Sequence, residues 1–306
     1  MKLSVIICTR NRSHAVVGCL ESVVKAIDNT MPIEAEIVVV DNGSTDDTSA
    51  TVTNFSETCA VPIKLVSEPR KGLALARNTG VKASKGDLLI FTDDDCRVAE
   101  DYFVAALRHN ESDTELVLRS GRVEQGDPSD LRMTLKTENT LQRWNKQTHP
   151  KAIGMLNAAF TGANMMMRRA LFDTLGGFDI RLGAGTPFHS AEDIDYAYRA
   201  HFKGMLIEYA PDMKVYHFHG RKTISSGEKL LFRYSTGLGA LYAKHLLNDI
   251  RWLRPIYWHV RNALLDPLGG EAISPDFKFS HLDKLHGLLR GLFGFYASVI
   301  RSKIRS

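Results

Sequence analysis

Cysteine is scarce: the 306 residues hold four (Cys8, Cys19, Cys59 and Cys96), all in the first third and none at paired spacing. That excludes a disulfide framework and a zinc knuckle, and it fits a reducing cytosol. No uncharged run reaches the roughly 20 residues that a membrane-spanning helix needs. Met1-Lys2 leads straight into a strand-like run, so no secretory signal is expected. No Gly-x-Gly-x-x-Gly follows that run and no Gly-Lys-Ser/Thr occurs anywhere, which excludes the dinucleotide fingerprint and the P-loop. No recognisable nucleic-acid module is present, so nucleic acid is not an expected partner.

What is there is an ordinary globular composition, 44% hydrophobic and 24% charged, enough to bury a sizeable core. The charge is unevenly placed. Residues 1–220 carry 25 Lys+Arg against 29 Asp+Glu, net −4, whereas residues 221–306 carry 14 against 6, net +8. A basic tail with its own partner is expected.

The chain is organised around Phe91-Thr92-Asp93-Asp94-Asp95-Cys96. Leu88-Leu89-Ile90-Phe91 has the continuous apolar character of a strand buried on both faces, and it ends in three carboxylates. Alternation along a strand puts Asp93 and Asp95 on one side and Asp94 on the other. Two such carboxylates suit a hard cation, Mg²⁺ or Mn²⁺, that also bridges phosphate oxygens. A polar loop facing water is the plainer alternative.

Three further strand-like runs precede it: Leu3 to Cys8, Glu36 to Val40 and Ile63 to Val66. A helical pattern with Ser13 as its cap follows the first, and another runs from about Leu73 to Ala83. Strand and helix alternating through short loops predict a parallel sheet covered on both faces, with ligands at the carboxyl ends of the strands. Thr9-Arg10-Asn11, Asp41, Arg70-Lys71 and Asp93 to Asp95 all fall at that edge. A response-regulator-like sheet would share the acidic edge but would end near residue 125.

The second half is mixed. Glu115–Glu124 and Ala158–Met167 read as strands, with a helix expected over about 129–148. The glycines of Gly183-Ala184-Gly185-Thr186-Pro187 make that loop a candidate lid. A helix over about 191–202 follows, with Ser190 and Asp193 spaced as a capping box and Asp195 and Arg199 spaced to pair. Glu192 and Asp193 thus either stabilise a helix start or supply a general base. Lys214 to His219 reads as a strand with His217 and His219 on one face, either structural or completing a metal shell.

Taken together these motifs resemble family 2 glycosyltransferases of the GT-A fold, over about residues 3–220. The resemblance rests on Val5-Ile6-Ile7-Cys8-Thr9-Arg10-Asn11, Val39-Val40-Asp41-Asn42-Gly43-Ser44-Thr45-Asp46, Ala76-Arg77-Asn78-Thr79-Gly80 and the acidic strand end. It continues through Gly162-Ala163-Asn164, Gly176-Gly177-Phe178-Asp179, Glu192-Asp193-Ile194-Asp195 and Val215-Tyr216-His217. It implies an α/β fold with a mostly parallel sheet, residues 1–110 forming a nucleotide-sugar half and 111–220 an acceptor half. It also implies transfer of a sugar from a nucleoside diphosphate, usually UDP, to a hydroxyl of a glycan or lipid-linked glycan, with inversion. By position, Thr9, Arg10, Asn11, Asp41, Arg70, Lys71, Asn78, Asp93 and Asp94 would meet the nucleotide. Asp95, with Asp93 and His217, would hold Mn²⁺ or Mg²⁺, and Asp193, beside Glu192, would be the base. Thr-Arg-Asn stands where many members have Pro-Thr-Tyr-Asn.

Residues 221–306 lie outside the resemblance. Helices are expected over Glu228–Ile250 and His281–Ile304, the second amphipathic and bearing Lys284, Arg290, Arg301, Lys303 and Arg305. Trp252, Tyr257 and Trp258 between them suit an anionic membrane surface, the inner face of the cell membrane. Packing on the catalytic part or a homodimer interface is the alternative. A nucleotidyltransferase or a non-catalytic sugar-nucleotide binding protein are the competing functions. The first wants a glycine-rich triphosphate loop that Cys8 to Arg12 lacks.

Overall fold

The computed structural model describes residues 1–30, 32–149, 160–266 and 277–305, with side chains through 301. Strand β1 (Lys2–Thr9) pairs in parallel with β2 (Glu34–Asp41) on one side and β4 (Leu88–Asp93) on the other, and β3 (Ile63–Ser67) lies outside β2. Helices α1 (Ser13–Asp28), α2 (Thr48–Thr58) and α3 (Leu73–Ala83) make the crossovers. Alternate residues feed two cores. Ile6, Val38, Val40, Leu89 and Phe91 enter one, while Val5, Ile7, Ile37, Val39, Leu88 and Ile90 enter the other. That is why these strands are apolar without alternation: both faces are covered. In register Thr9 lies beside Asp41 and Cys8 beside Asp93, so three loops leave the sheet along one edge.

The chain continues through β5 (Cys96–Val98), α4 (Tyr102–Ser112), β6 (Val117–Gln125), β7 (Gln142–Trp144), β8 (Asn164–Arg168), α5 (Arg169–Leu175), α6 (Glu192–Phe202) and β9 (Leu206–His217). Among the described residues the sheet has nine strands in the order β3-β2-β1-β4-β8-β6-β9-β5, with β7 on β9. Strand β8 is antiparallel to both β4 and β6, so the parallel half gives way to a mixed one. The strand expected over Ala158–Met167 starts only at Asn164, and residues 158 and 159 lie outside the described set.

Three local expectations fail. No helix forms over 129–148; the segment after Asp127-Pro128 is irregular and ends in β7. Thr134, Thr137, Asn139 and Thr140 are weak helix formers. Buried Glu208 of β9 is instead met by Arg143 Nε at 2.6 Å. Ser13 is the first residue of α1 rather than its cap, the N-cap being Arg12. Helix α6 begins after Ala191, which has left-handed backbone (φ 76°), and no capping side chain is used. Asp193 therefore makes no capping box.

The tail forms α7 (Ile224–Leu246), α8 (Leu253–Leu265) and α9 (His281–Arg305). Helices α7 and α9 cross with their backbones nearly touching. A Cβ at Gly239 would overlap the Leu288 carbonyl oxygen, and one at Gly291 would overlap that of Thr236. Helix α7 is also stitched to α6. Asp195, fully buried, accepts from Arg199 Nε at 2.9 Å, Lys244 Nζ at 2.6 Å and His245 Nε2 at 2.8 Å. Trp252, expected among interfacial aromatics, is 1% exposed and packs edge-on against Tyr198. Tyr257 and Trp258 do face outward, 60% and 46% exposed. The side chains of Lys303, Ile304 and Arg305 lie outside the described set.

Candidate active site

The acidic strand end becomes the floor of a cleft of about 720 Å³. Strand β4 stops at Asp93, and Asp94 and Asp95 form a turn into β5, so alternation does not carry past Asp93. All three carboxylates line the cleft. Asp93 meets Arg77 Nη2 at 3.4 Å, Asp94 accepts from Thr9 Oγ1 at 2.7 Å, and Asp95 accepts from Arg12 Nη1 at 3.1 Å. Strand β5 pairs with the end of β9, which sets Cys96 opposite His217 and brings His217 Nε2 to 3.2 Å from Asp95 Oδ1.

The electrostatics follow from crowding in a buried place. Burial, then the Asp95 charge, pushes Asp94 up to about 7 despite the Thr9 hydrogen bond. Burial raises Asp93 too, against the pull of Arg77. For Asp95 the opposing hydrogen bond and charge of His217 outweigh burial and hold it below the usual carboxylate range. His217 is raised in return, burial being overridden by the same Asp95 contact.

Across the cleft, the start of α6 supplies Glu192 and Asp193. Glu192 is 5% exposed and takes Arg77 Nη1 at 2.8 Å. Burial and the neighbouring Asp193 push it up to about 7, with Arg77 pulling the other way. Asp193 is half-buried, and its Oδ2 accepts the backbone N–H of Gly162 at 2.8 Å. A Cβ at Gly162 would lie 2.5 Å from Arg77 Nη2 and would push the guanidinium aside. Arg77 thus sits between the two sets of carboxylates, touching Asp93 and Glu192 at once.

The sequence model described as Glycosyl transferase family 2 matches residues 4–176, more than half of the chain. The chain belongs to that family. It is a glycosyltransferase of GT-A fold, and its relatives agree. Glycosyltransferase AglE of Haloferax volcanii is 28% identical over 212 residues, covering 69% of this chain, and the chain spans 65% of that protein's length. Mannosyltransferase PcManGT from Pyrobaculum calidifontis, solved with GDP-Man and Mn²⁺, superposes with a TM-score of 0.60 at 20% identity, covering 96% of this chain and 75% of its own. Staphylococcus aureus TarS 1-349 with UDP-GlcNAc gives 0.54 at 20% identity, covering 81% and 74%.

The residues that match the family motif separate into two groups in this glycosyltransferase. Asp93, Asp94, Asp95, Glu192, Asp193 and His217 meet in the cleft. Thr9, Arg10, Asn11, Asp41, Arg70 and Lys71 lie along the neighbouring ends of β1 to β3 and do not line it. Asp41 Oδ1 accepts from Ser44 N at 2.8 Å and its Oδ2 from the Ser49 hydroxyl, so that loop is prebuilt. Exposed Arg70 is held by Glu68, its Nη2 2.9 Å from Oε2. Asn78 points away from the nucleotide edge: its amide donates to Phe178 O at 2.9 Å and its carbonyl accepts from Phe178 N at 2.8 Å. His219 is likewise structural, since Nε2 donates to Leu131 O and Nδ1 accepts from Arg221 N, both at 3.0 Å. The Gly183–Pro187 loop is packed, with Leu73 N donating to Ala184 O at 2.9 Å.

Sequence reasoning passed over Arg77 and Arg12, although Arg77 stands beside Asn78 in a motif already singled out. Its signal was a long cation in the middle of a helix, among the small residues Ala74, Ala76 and Gly80, the helix's other cation, Lys82, lying in its last turn. The wall of the cleft was also missed: α7 contributes Leu230, Leu231, Arg233 and Tyr234, and α9 contributes Lys284.

Donor chemistry supports a cation at Asp95. Its Oδ1 and His217 Nε2 are spaced as two ligands sharing one ion, and carboxylate with imidazole suits Mn²⁺. Cys96 Sγ lies in the same group, each ligand atom within 4.8 Å of the others, but a soft thiol suits a hard, oxygen-favouring cation less well than the carboxylate and imidazole do.

Proposed function

We propose that this glycosyltransferase moves a sugar from a UDP-type donor to an acceptor hydroxyl by a single inverting displacement, with Asp193 as the base. The observation that carries this reading is the arrangement of the cleft. The acidic turn and His217 line the same cleft as Asp193 of α6, which is the more accessible carboxylate of its pair. Thr9 and Asp41 would hold the nucleoside at the edge of the sheet. Asp95, Asp93 and His217 would hold Mn²⁺ or Mg²⁺, whose chemistry there is to neutralise charge on a diphosphate leaving group.

The chain's own residues do the rest. Asp193 is oriented by the Gly162 N–H and takes the proton of the attacking hydroxyl. Glu192 is pinned by Arg77, which leaves one accessible carboxylate opposite the donor and no second one placed as a nucleophile; one is what inversion requires. Asp95→Ala is expected to abolish Mn²⁺-dependent UDP binding in calorimetry with the fold intact, and His217→Ala to weaken it less, water replacing a neutral ligand. Unchanged metal-dependent affinity in Asp95→Ala would remove the assignment.

The acceptor is proposed to be presented at an anionic membrane. Among the described residues no helix is long and apolar enough to cross one. Helices α8 and α9 nevertheless expose Leu253, Tyr257, Trp258, Leu264, Phe293 and Ile300 beside Arg254, Arg261 and Arg301. Such a face suits the bilayer interface. The pair Tyr257→Ser with Trp258→Ser, which spares the α7–α9 crossing, is expected to lower co-sedimentation with phosphatidylserine vesicles by about tenfold or more. Equal co-sedimentation of the variant would refute a membrane role for this face.

A further inference from the structure

The cleft has a second electrostatic side that catalysis at Asp193 does not use. Arg233 of α7 and Lys284 of α9 line it, and among the described residues neither has a carboxylate partner. Arg12 and Arg77, the cations of the floor, are both paired. Arg221 bears on Asp95 and His217 and so belongs with the donor end. The charges of Arg233 and Lys284 are felt elsewhere. Arg233, with Arg290 of α9, bears on His189, and Lys284 bears on His259 of α8; burial and these cations pull both histidines below their ordinary values. Lys284 is itself half-buried, and burial lowers its pKa. Arg233 and Lys284 reach the same cleft from two helices, and a multiply charged anion is the ligand that two unpaired cations lining one cavity suit.

We propose that the α7–α9 wall, through Arg233, with Arg290 near it, and Lys284, binds a phosphate group carried by the acceptor. This rests on the glycosyl-transfer reading above and adds the acceptor's chemical class. A phosphate offers several acceptor oxygens and about two charges, which two or three separate cations meet at once. The wall belongs to a different set of elements from Asp95 and His217, so donor diphosphate and acceptor phosphate need not compete. Held there, an acceptor would share the cleft with Asp193. Lys284 also lies next to α8, whose outer face is apolar, so a phosphate arriving on a lipid meets the wall as readily as one arriving in solution.

The test is titration of inorganic phosphate into the full chain already saturated with UDP and Mn²⁺. One phosphate per chain is expected. Arg233→Gln with Lys284→Gln should weaken it at least about tenfold, the scale of a lost charge-assisted hydrogen bond. UDP affinity should be unchanged, and Arg233→Lys with Lys284→Arg should restore phosphate binding. Displacement of phosphate by UDP, or equal phosphate affinity in the Gln variant, would overturn the proposal. If UDP itself fails to bind the wild type, it is the donor reading that has failed. In turnover, KM for a soluble sugar phosphate or for the same sugar phosphate on a polyprenol in vesicles should rise at least about tenfold in the Gln variant. KM for the unphosphorylated sugar should not move. The acceptor with the lower wild-type KM identifies the source, and an equal rise for the unphosphorylated sugar contradicts the proposal.

Discussion

The floor and the wall of the cleft are built by opposite means. The floor is set by the sheet: a short turn after β4 brings Asp93, Asp94 and Asp95 together, and the β5–β9 pairing adds His217. Its charge is negative and crowded, with Asp94 pushed up to about 7. The wall is assembled at long range from helices in the last quarter of the chain, held by glycine contacts and by buried Asp195 bridging α6 to α7. Its charge is positive. The net −4 and +8 parts of the sequence are therefore two sides of one cavity, and the tail helps to enclose the site as well as offering an outward face.

Arg77→Leu strains that contrast most. It strips the cation shared by buried Glu192 and half-buried Asp93 and should cost about 3–5 kcal/mol. The measurement is a fall in the urea midpoint at unchanged slope. A loss under about 1 kcal/mol would mean the floor does not depend on Arg77.

Gly291→Ala probes the wall at its helix crossing. The added methyl meets the Thr236 carbonyl, so α9 must shift, at a cost of about 1–3 kcal/mol. Donor affinity should hold while acceptor KM rises. A variant with wild-type stability and wild-type KM for the acceptor would show that α9 is not part of the enclosure.

The floor was legible in the sequence because its residues sit within motifs whose order the fold preserves. Asp95 and Asp193 stand out from those motifs alone, and the helical pattern from Leu73 to Ala83 matches the observed limits of α3. What misled was local reasoning about shared partners. Ser190 and Asp193 have capping-box spacing, yet Ala191 turns left-handed and Asp193 is drawn to Gly162. Asn78 is a polar residue in a nucleotide motif, yet it clamps Phe178, a hundred residues on. The wall was illegible for a related reason. Gly239, Gly287 and Gly291 read as poor helix residues until the helix they touch is in place, and Trp252 reads as interfacial until Tyr198 is beside it.

The floor is proposed to bind the donor while Asp193 alone removes the acceptor proton. Asp193→Asn keeps the shape and one acceptor oxygen for Gly162 but cannot take a proton. Transfer from UDP-sugar should fall by about 10²–10⁴-fold, with metal-dependent UDP affinity unchanged in the same preparation. Wild-type transfer rates in Asp193→Asn, above all with Glu192→Gln inactive, would contradict the account and move the base one residue back.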